Sequence, residues 1–195
     1  MALTYYDDDN QATDDEIESL FGWRDLFASF YTAKVDKLNP PEWENFVGNM
    51  NAYSFISNKE SALWITFHIQ HDIKVGSLIY PHIHWSPSSN ASGNVVWKIE
   101  CIKAKGHSQE VFDVNNQIDR TFEKIVNNDM NLHIISECEN GIPALEPDTI
   151  FLVRISRDGA NPLDTYPDKV FGLMLDIHYE TDKVGTLNKQ PNFYV

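Results

Sequence analysis

Cysteine is almost absent from this chain. Cys101 and Cys138 are the only two among 195 residues. Both sit inside strand-like apolar runs, which favours two buried, reduced thiols. The spacing leaves a disulfide open but marks no secreted disulfide framework. Basic residues are also scarce, with 15 Lys and Arg against 29 Asp and Glu, for a net charge of −14. Phosphate contacts need clustered Lys and Arg, so this balance argues against nucleic acid as a partner. It argues equally against an anionic membrane surface. No apolar run approaches the ~18 residues that would suggest a spanning helix. The start, MALTYYDDDN, lacks a basic segment and an apolar segment, so no signal peptide is expected. There is no glycine-rich phosphate loop and no G-x-S-x-G nucleophile elbow.

Strand-forming residues are abundant, including 11 Phe, 8 Tyr and 5 Trp. The most informative stretch runs from Ser61 to Lys105. Leu63, Ile65, Phe67 and Ile69 share one face, and Trp64, Thr66, His68 and Gln70 the other. After a turn, Ile79, Ile83 and Trp85 point one way, while Leu78, Tyr80, His82 and His84 point the other. Val95, Trp97, Ile99 and Cys101 line a third strand. Further strands are expected at 52–57, 132–138, 149–157 and 170–180, with 106–131 readable as two strands or a strand and a short helix. Eight or nine strands without βαβ alternation predict a mainly β protein, an antiparallel jelly-roll-like β-sandwich. The expected organisation is an N-terminal arm or extension over 1–50, a sandwich domain over 51–186 and a C-terminal tail over 187–195.

In the arm, Thr13 and Glu16 form a capping-box pattern that predicts a helix over 14–31. Its apolar residues cover more than the one stripe a helix resting on a single core needs. They read either as a deeply packed helix or arm wrapped on its own domain, or as an arm that buries its second face on another subunit, in which case Leu20, Phe21, Trp23, Leu26, Phe27, Phe30 and Tyr31 are the candidate assembly interface. Asn39-Pro40-Pro41 breaks the arm, and the residues to Asn51 read as a connector.

The histidines are the sharpest chemical candidates. Gly76, then His82 and His84, match the opening of the first cupin motif, and both imidazoles share a strand face. No Glu follows at the cupin spacing, so packing is favoured and neither metal nor cofactor is assigned. His178 would supply a third ligand only if its strand lay beside the HIH strand. Asp176, His178 and Glu180 alternate on one face, which reads as a solvated or interface side. His68 and His71 read as surface or turn residues. Trp64, Trp85 and Trp97 raise a sugar-stacking platform, with Trp85 and Trp97 expected in the core and Trp64 as the contact candidate.

Three segments together, FHIQHDIKVGSLIYPHIHW, NVVWKIECIKAKG and FLVRISRDG with DTYPDKVFGLMLDIHYETDKVGT, resemble a group of small virion-associated proteins of tailed bacteriophages and prophages. The resemblance covers roughly 52–186, with PHIHW and DIHYETDKVGT the most specific parts. The N-terminal residues match loosely, around Gly22 to Leu26. It implies a non-enzymatic β-sandwich subunit of the virion, assembled in the host cytoplasm as a homo-oligomer, with a trimer favoured. Its partners would be other virion structural proteins on the capsid or in the head–tail (collar or tail) region. The alternatives are a cupin-like metal-binding enzyme using His82 and His84, and a carbohydrate-binding, receptor-binding module.

Overall fold

The computed structural model describes residues 21–127, 130–143 and 146–193. Within them the chain forms β1 (Gly22–Ser29), β2 (Lys34–Val35), β3 (Glu42–Val47), β4 (Met50–Phe55), β5 (Glu60–His68), β6 (Leu78–Pro87), β7 (Gly93–Lys105), β8 (Ile118–Val126), β9 (Ile134–Glu137), β10 (Ile142–Pro143), β11 (Thr149–Asp158) and β12 (Val170–Thr181). All the pairings are antiparallel. One sheet runs β10-β6-β12-β4-β3, with β1 also on β12 and β9 also on β6. The other runs β2-β5-β11-β7-β8. Successive strands from β4 to β7 alternate between the sheets, as in a jelly roll, so this is the antiparallel sandwich the alternation predicts.

The core fills the space between the sheets. Leu63, Ile65 and Phe67 of β5 meet Ile79, Ile83 and Trp85 of β6, with Trp97 and Ile99 of β7. Trp85 and Trp97 lie edge to face at 5.9 Å and are fully buried, as their strand faces require. Cys101 and Cys138 are both buried free thiols, and burial raises Cys101 to about 11. The loop after β11 is anchored by Arg157, whose guanidinium is wholly buried with Asp164 at 2.7 Å. It also donates to the carbonyls of Phe55, Tyr166 and Asp168.

The N-terminal region differs from expectation. Of the described residues of the predicted helix, 22–29 form β1, paired with β12 over eight positions from Gly22–Thr181 to Ser29–Met174, and Phe30 and Tyr31 enter a 3-10 turn. Its inner residues Leu26 and Ala28 pack on the core, and this long-range pairing overrides the local helix pattern. The part of that helix before Phe21, with Leu20, lies outside the described residues. The expected connector at 40–51 holds β3 and its turn into β4, where Gly48 supplies the left-handed backbone (φ 56°). Thus, among the described residues, β1, β2 and β3 lie before Met50, where β4 begins. β1 and β4 share one side of β12, and Phe30 closes the core between them. Gly172 of β12 leaves room for that ring, since a Cβ there would stand 2.6 Å from Phe30. The segment at 106–131 holds a 3-10 turn at Val114–Asn116 and then β8.

Candidate functional site

The outer face of the β6-containing sheet carries most of the chemistry. Residues directly opposite each other in an antiparallel sheet project to the same side. The register therefore builds rows across β1, β12, β6 and β9. One row is Phe27, Asp176, His82 and Glu137. The next is Ser29, Met174, His84 and Ile135. On the other side lie Asp25, His178 and Tyr80. The strand of His178 does lie beside the HIH strand, which sequence alone left open.

His82 and Asp176 are only 2% and 8% exposed, although they point away from the core. Neighbouring side chains crowd over them. The His178 ring lies 3.9 Å from the His82 ring at 32° between planes. His178 in turn stands between two carboxylates, Asp25 and Glu137, each at 3.0 Å. On the far side, His84 Nδ1 and His133 Nε2 are 2.8 Å apart. At the centre, Asp176 Oδ2 faces two imidazoles, with His84 Nε2 at 3.2 Å and His82 Nε2 at 3.7 Å.

These central contacts are not ion pairs. Burial, reinforced by the neighbouring His82 and His133, pushes His84 down to about 4. Burial and the adjacent His178 lower His82 as well. Burial and the Asp25 carboxylate raise Asp176 to about 6. At neutral pH the centre therefore holds two neutral imidazoles and one costly carboxylate. His84 Nε2 and Asp176 Oδ1 are buried without any hydrogen-bond partner. Two residue sets bring ligand atoms within 4.8 Å of one another, His82 with His84 and Asp176, and His82 with Asp25 and His178.

Beside this cluster opens a groove of about 510 Å³, lined by Trp23, Tyr80, Glu137, Glu139 and His178. Its Trp23 belongs to the expected assembly set, whose members the structure separates. Trp23, Phe27 and Tyr31 are 61%, 71% and 60% exposed. Phe21 and Leu26 are half-buried, and Phe30 is a core residue at 1%. Phe30 thus leaves the assembly set, because it fills the gap between β1 and β4. Tyr31 continues into an edge-to-face row with Trp43 and Tyr53, with centroids 5.2 and 4.9 Å apart. Sequence reasoning missed Trp43, which the PPEWENF run hid in an apparent connector.

The remaining candidates resolve differently. Trp64 is half-exposed, but its indole N–H donates to Asp36 and Arg154 covers its ring at 5.9 Å. Arg154 also binds Glu60 and Glu100, so this patch is a hub of structural ion pairs. His68 and His71 join His107 around Asp148 at the end of the other sheet. No family model and no curated protein matches this chain. Among solved structures, the CBM36-1 domain of a multidomain xylanase from the hindgut metagenome of Trinervitermes trinervoides is similar over 79% of this chain and 96% of its own, at 10% identity and a TM-score of 0.35. The CBM22-1 xylan-binding domain of Paenibacillus barcinonensis Xyn10C is similar over 80% and 86%, at 6% identity and 0.37. Tailspike protein 4 of bacteriophage CBA120 is similar over 81% of this chain but 19% of its own, at 8% and 0.30. At such scores these likenesses carry nothing about function.

Proposed function

We propose that this chain is a structural subunit of a tailed-phage particle, acting by self-association and docking onto other virion proteins rather than by catalysis. The observation that supports it best is the aromatic side of the β1-containing sheet. Trp23, Phe27 and Tyr31 expose most of their surface along one edge, followed by Trp43. Monomeric proteins seldom present so many large apolar groups together. Edge strands also offer unpaired backbone groups to another chain. The edge-to-face Tyr31–Trp43–Tyr53 row holds part of this surface in one conformation, and Tyr31 Oη donates to the Asn51 carbonyl at 2.8 Å. A surface held rigid before contact loses little entropy on association. The occupant is a second copy of this chain in a closed homo-oligomer, the commonest form of assembly. With a charge of −14, the contact has to be apolar at its centre, as these residues provide.

The test is light scattering on the purified chain and on a Trp23→Ser/Phe27→Ser variant, followed by assay of incorporation into particles. The wild type should be oligomeric, and the variant a folded monomer that particles exclude. A monomeric wild type, or normal incorporation of the variant, overturns the proposal. Removing 1–38 would be a poorer test, because it strips β1, β2 and the core residue Phe30.

A further inference from the structure

We infer that His82, His84 and Asp176 form a binding site for one divalent first-row transition ion on the outer face of the sheet. The inference is independent of the virion reading and needs only the geometry of β6 and β12.

The spacing fits. Ligands held ~2.0–2.2 Å from such an ion stand roughly 3.0–3.6 Å from one another in octahedral or tetrahedral arrangements. Here Asp176 Oδ2 lies 3.2 Å from His84 Nε2, inside that range, and 3.7 Å from His82 Nε2, just beyond it, and ligand atoms of all three residues lie within 4.8 Å of one another, so a small inward shift closes the set. Two imidazoles at i and i+2 on one strand, with a carboxylate directly opposite the first on the next, bring their ligand atoms together at one place on the sheet face. The protonation also fits, because an ion takes neutral imidazoles and an ionised carboxylate. Without an ion the arrangement is poor: a desolvated carboxylate oxygen and an imidazole nitrogen lack partners in a buried cluster. An ion held by His84 Nε2 and Asp176 Oδ2 would give that nitrogen a partner and neutralise the desolvated carboxylate.

The ligand set selects the ion class. Imidazole nitrogen favours zinc, nickel, copper or iron over magnesium and calcium, and two His with one carboxylate leave coordination positions open. His84 has the supporting contact that metal-bound imidazoles usually have. When its Nε2 holds the ion, its proton sits on Nδ1 and donates to His133 Nε2, 2.8 Å away. The other candidate set, Asp25, His82 and His178, is less suited. His178 already places both ring nitrogens against carboxylates, and Asp25 is exposed. A cupin holds its metal inside a barrel; here the site is on the outer face, beside the exposed Phe27 of β1.

The test is titration of chelator-treated full-length protein with Zn2+ by calorimetry, with Co2+ absorption reporting coordination geometry. About one equivalent should bind with low-micromolar affinity or better. His84→Ala and Asp176→Asn should each weaken binding at least tenfold, and His178→Ala should leave it within threefold. Asp176→Asn preserves shape, so its result stands even if His84→Ala folds poorly. Binding of less than a tenth of an equivalent overturns the inference. So does wild-type affinity in Asp176→Asn, or a loss confined to His178→Ala.

Discussion

The seven histidines fall into two groups that use the same residue types in opposite ways. In the first, His82 and His84 of β6 face Asp176 on the adjacent strand β12, with His133 and His178 at the rim, and polar atoms at the centre lack partners. In the second, three loop or strand-end imidazoles meet one carboxylate. His68 and His71 reach Asp148 Oδ1 at 2.9 and 3.2 Å, and His107 reaches Oδ2 at 2.7 Å. His71 also contacts Thr186 at 2.6 Å, and Phe193 stands edge-on to His71 and His107. Burial works against the Asp148 charge, but the hydrogen bonds from His107, His71 and His68 outweigh it and hold the carboxyl below its usual range. Asp176 has no such donors and is raised instead. A satisfied cluster fastens loops, whereas an unsatisfied one keeps buried polar atoms available to a ligand.

Breaking the satisfied cluster should cost most. Asp148→Ala removes the shared acceptor of three imidazoles and should destabilise the fold by about 2–3 kcal/mol at pH 7, discounted for partial exposure. For a chain of this size that lowers Tm by roughly 5–10 °C. Because Asp148 is depressed in the fold, its contribution is present above 3.8 and lost as pH falls through the folded value. Thermal melts at pH 7 and pH 3 check both halves; an equal cost at the two would refute the assignment. Zn2+ affinity should not change.

The same kind of change at Asp176 should have the opposite sign and a smaller size. Its folded value of about 6 exceeds 3.8, so the native state loses stability as pH rises from 3.8 to 6 and loses no more above that. Asp176→Asn should therefore stabilise the metal-free protein by about 1–2 kcal/mol at pH 8, by roughly half of that at pH 5, and hardly at all at pH 3. His84 runs the other way. Its value of about 4 lies below 6.5, so it destabilises the fold as pH falls from 6.5 towards 4. In the wild type the two oppose each other between 4 and 6, which keeps the profile shallow. In the variant only the histidine remains, and stability should climb with pH across that window. Denaturant titrations at four pH values would show it, and a destabilised variant at pH 8 would contradict the reading.

The difference between the clusters was only half legible in the sequence. Period-two alternation assigned the faces of Leu63 to Gln70 and Leu78 to Trp85 correctly, because large apolar residues mark one side of each strand. The pairing of His82 with His84, and of Asp176 with His178, was legible for the same reason. That the two pairs meet depends on the β6–β12 register, a contact between distant segments that no local pattern encodes. The Asp148 cluster was invisible, because its carboxylate sits in a turn-rich connection and in a left-handed conformation (φ 61°). The arm was misread because Trp23, Leu26, Phe27 and Phe30 mimic helical spacing, whereas β12 supplies a paired edge for eight residues.

The finest distinction lies at the rim of the unsatisfied cluster. His133 is exposed, and its ring stacks on His84 with centroids 5.0 Å apart. His133→Phe keeps the stack but deletes the acceptor that holds the His84 proton on Nδ1. The His84 ring is then free to place its proton on Nε2, the nitrogen that faces Asp176. Zn2+ affinity should fall about tenfold, the scale for losing a supporting contact to a metal-bound imidazole. Fold stability should change by less than about 0.5 kcal/mol, as for an exposed substitution. The same swap at His68 should leave Zn2+ affinity unchanged, because that imidazole answers to Asp148. Equal affinity in His133→Phe and wild type would show that His84 is oriented by packing alone.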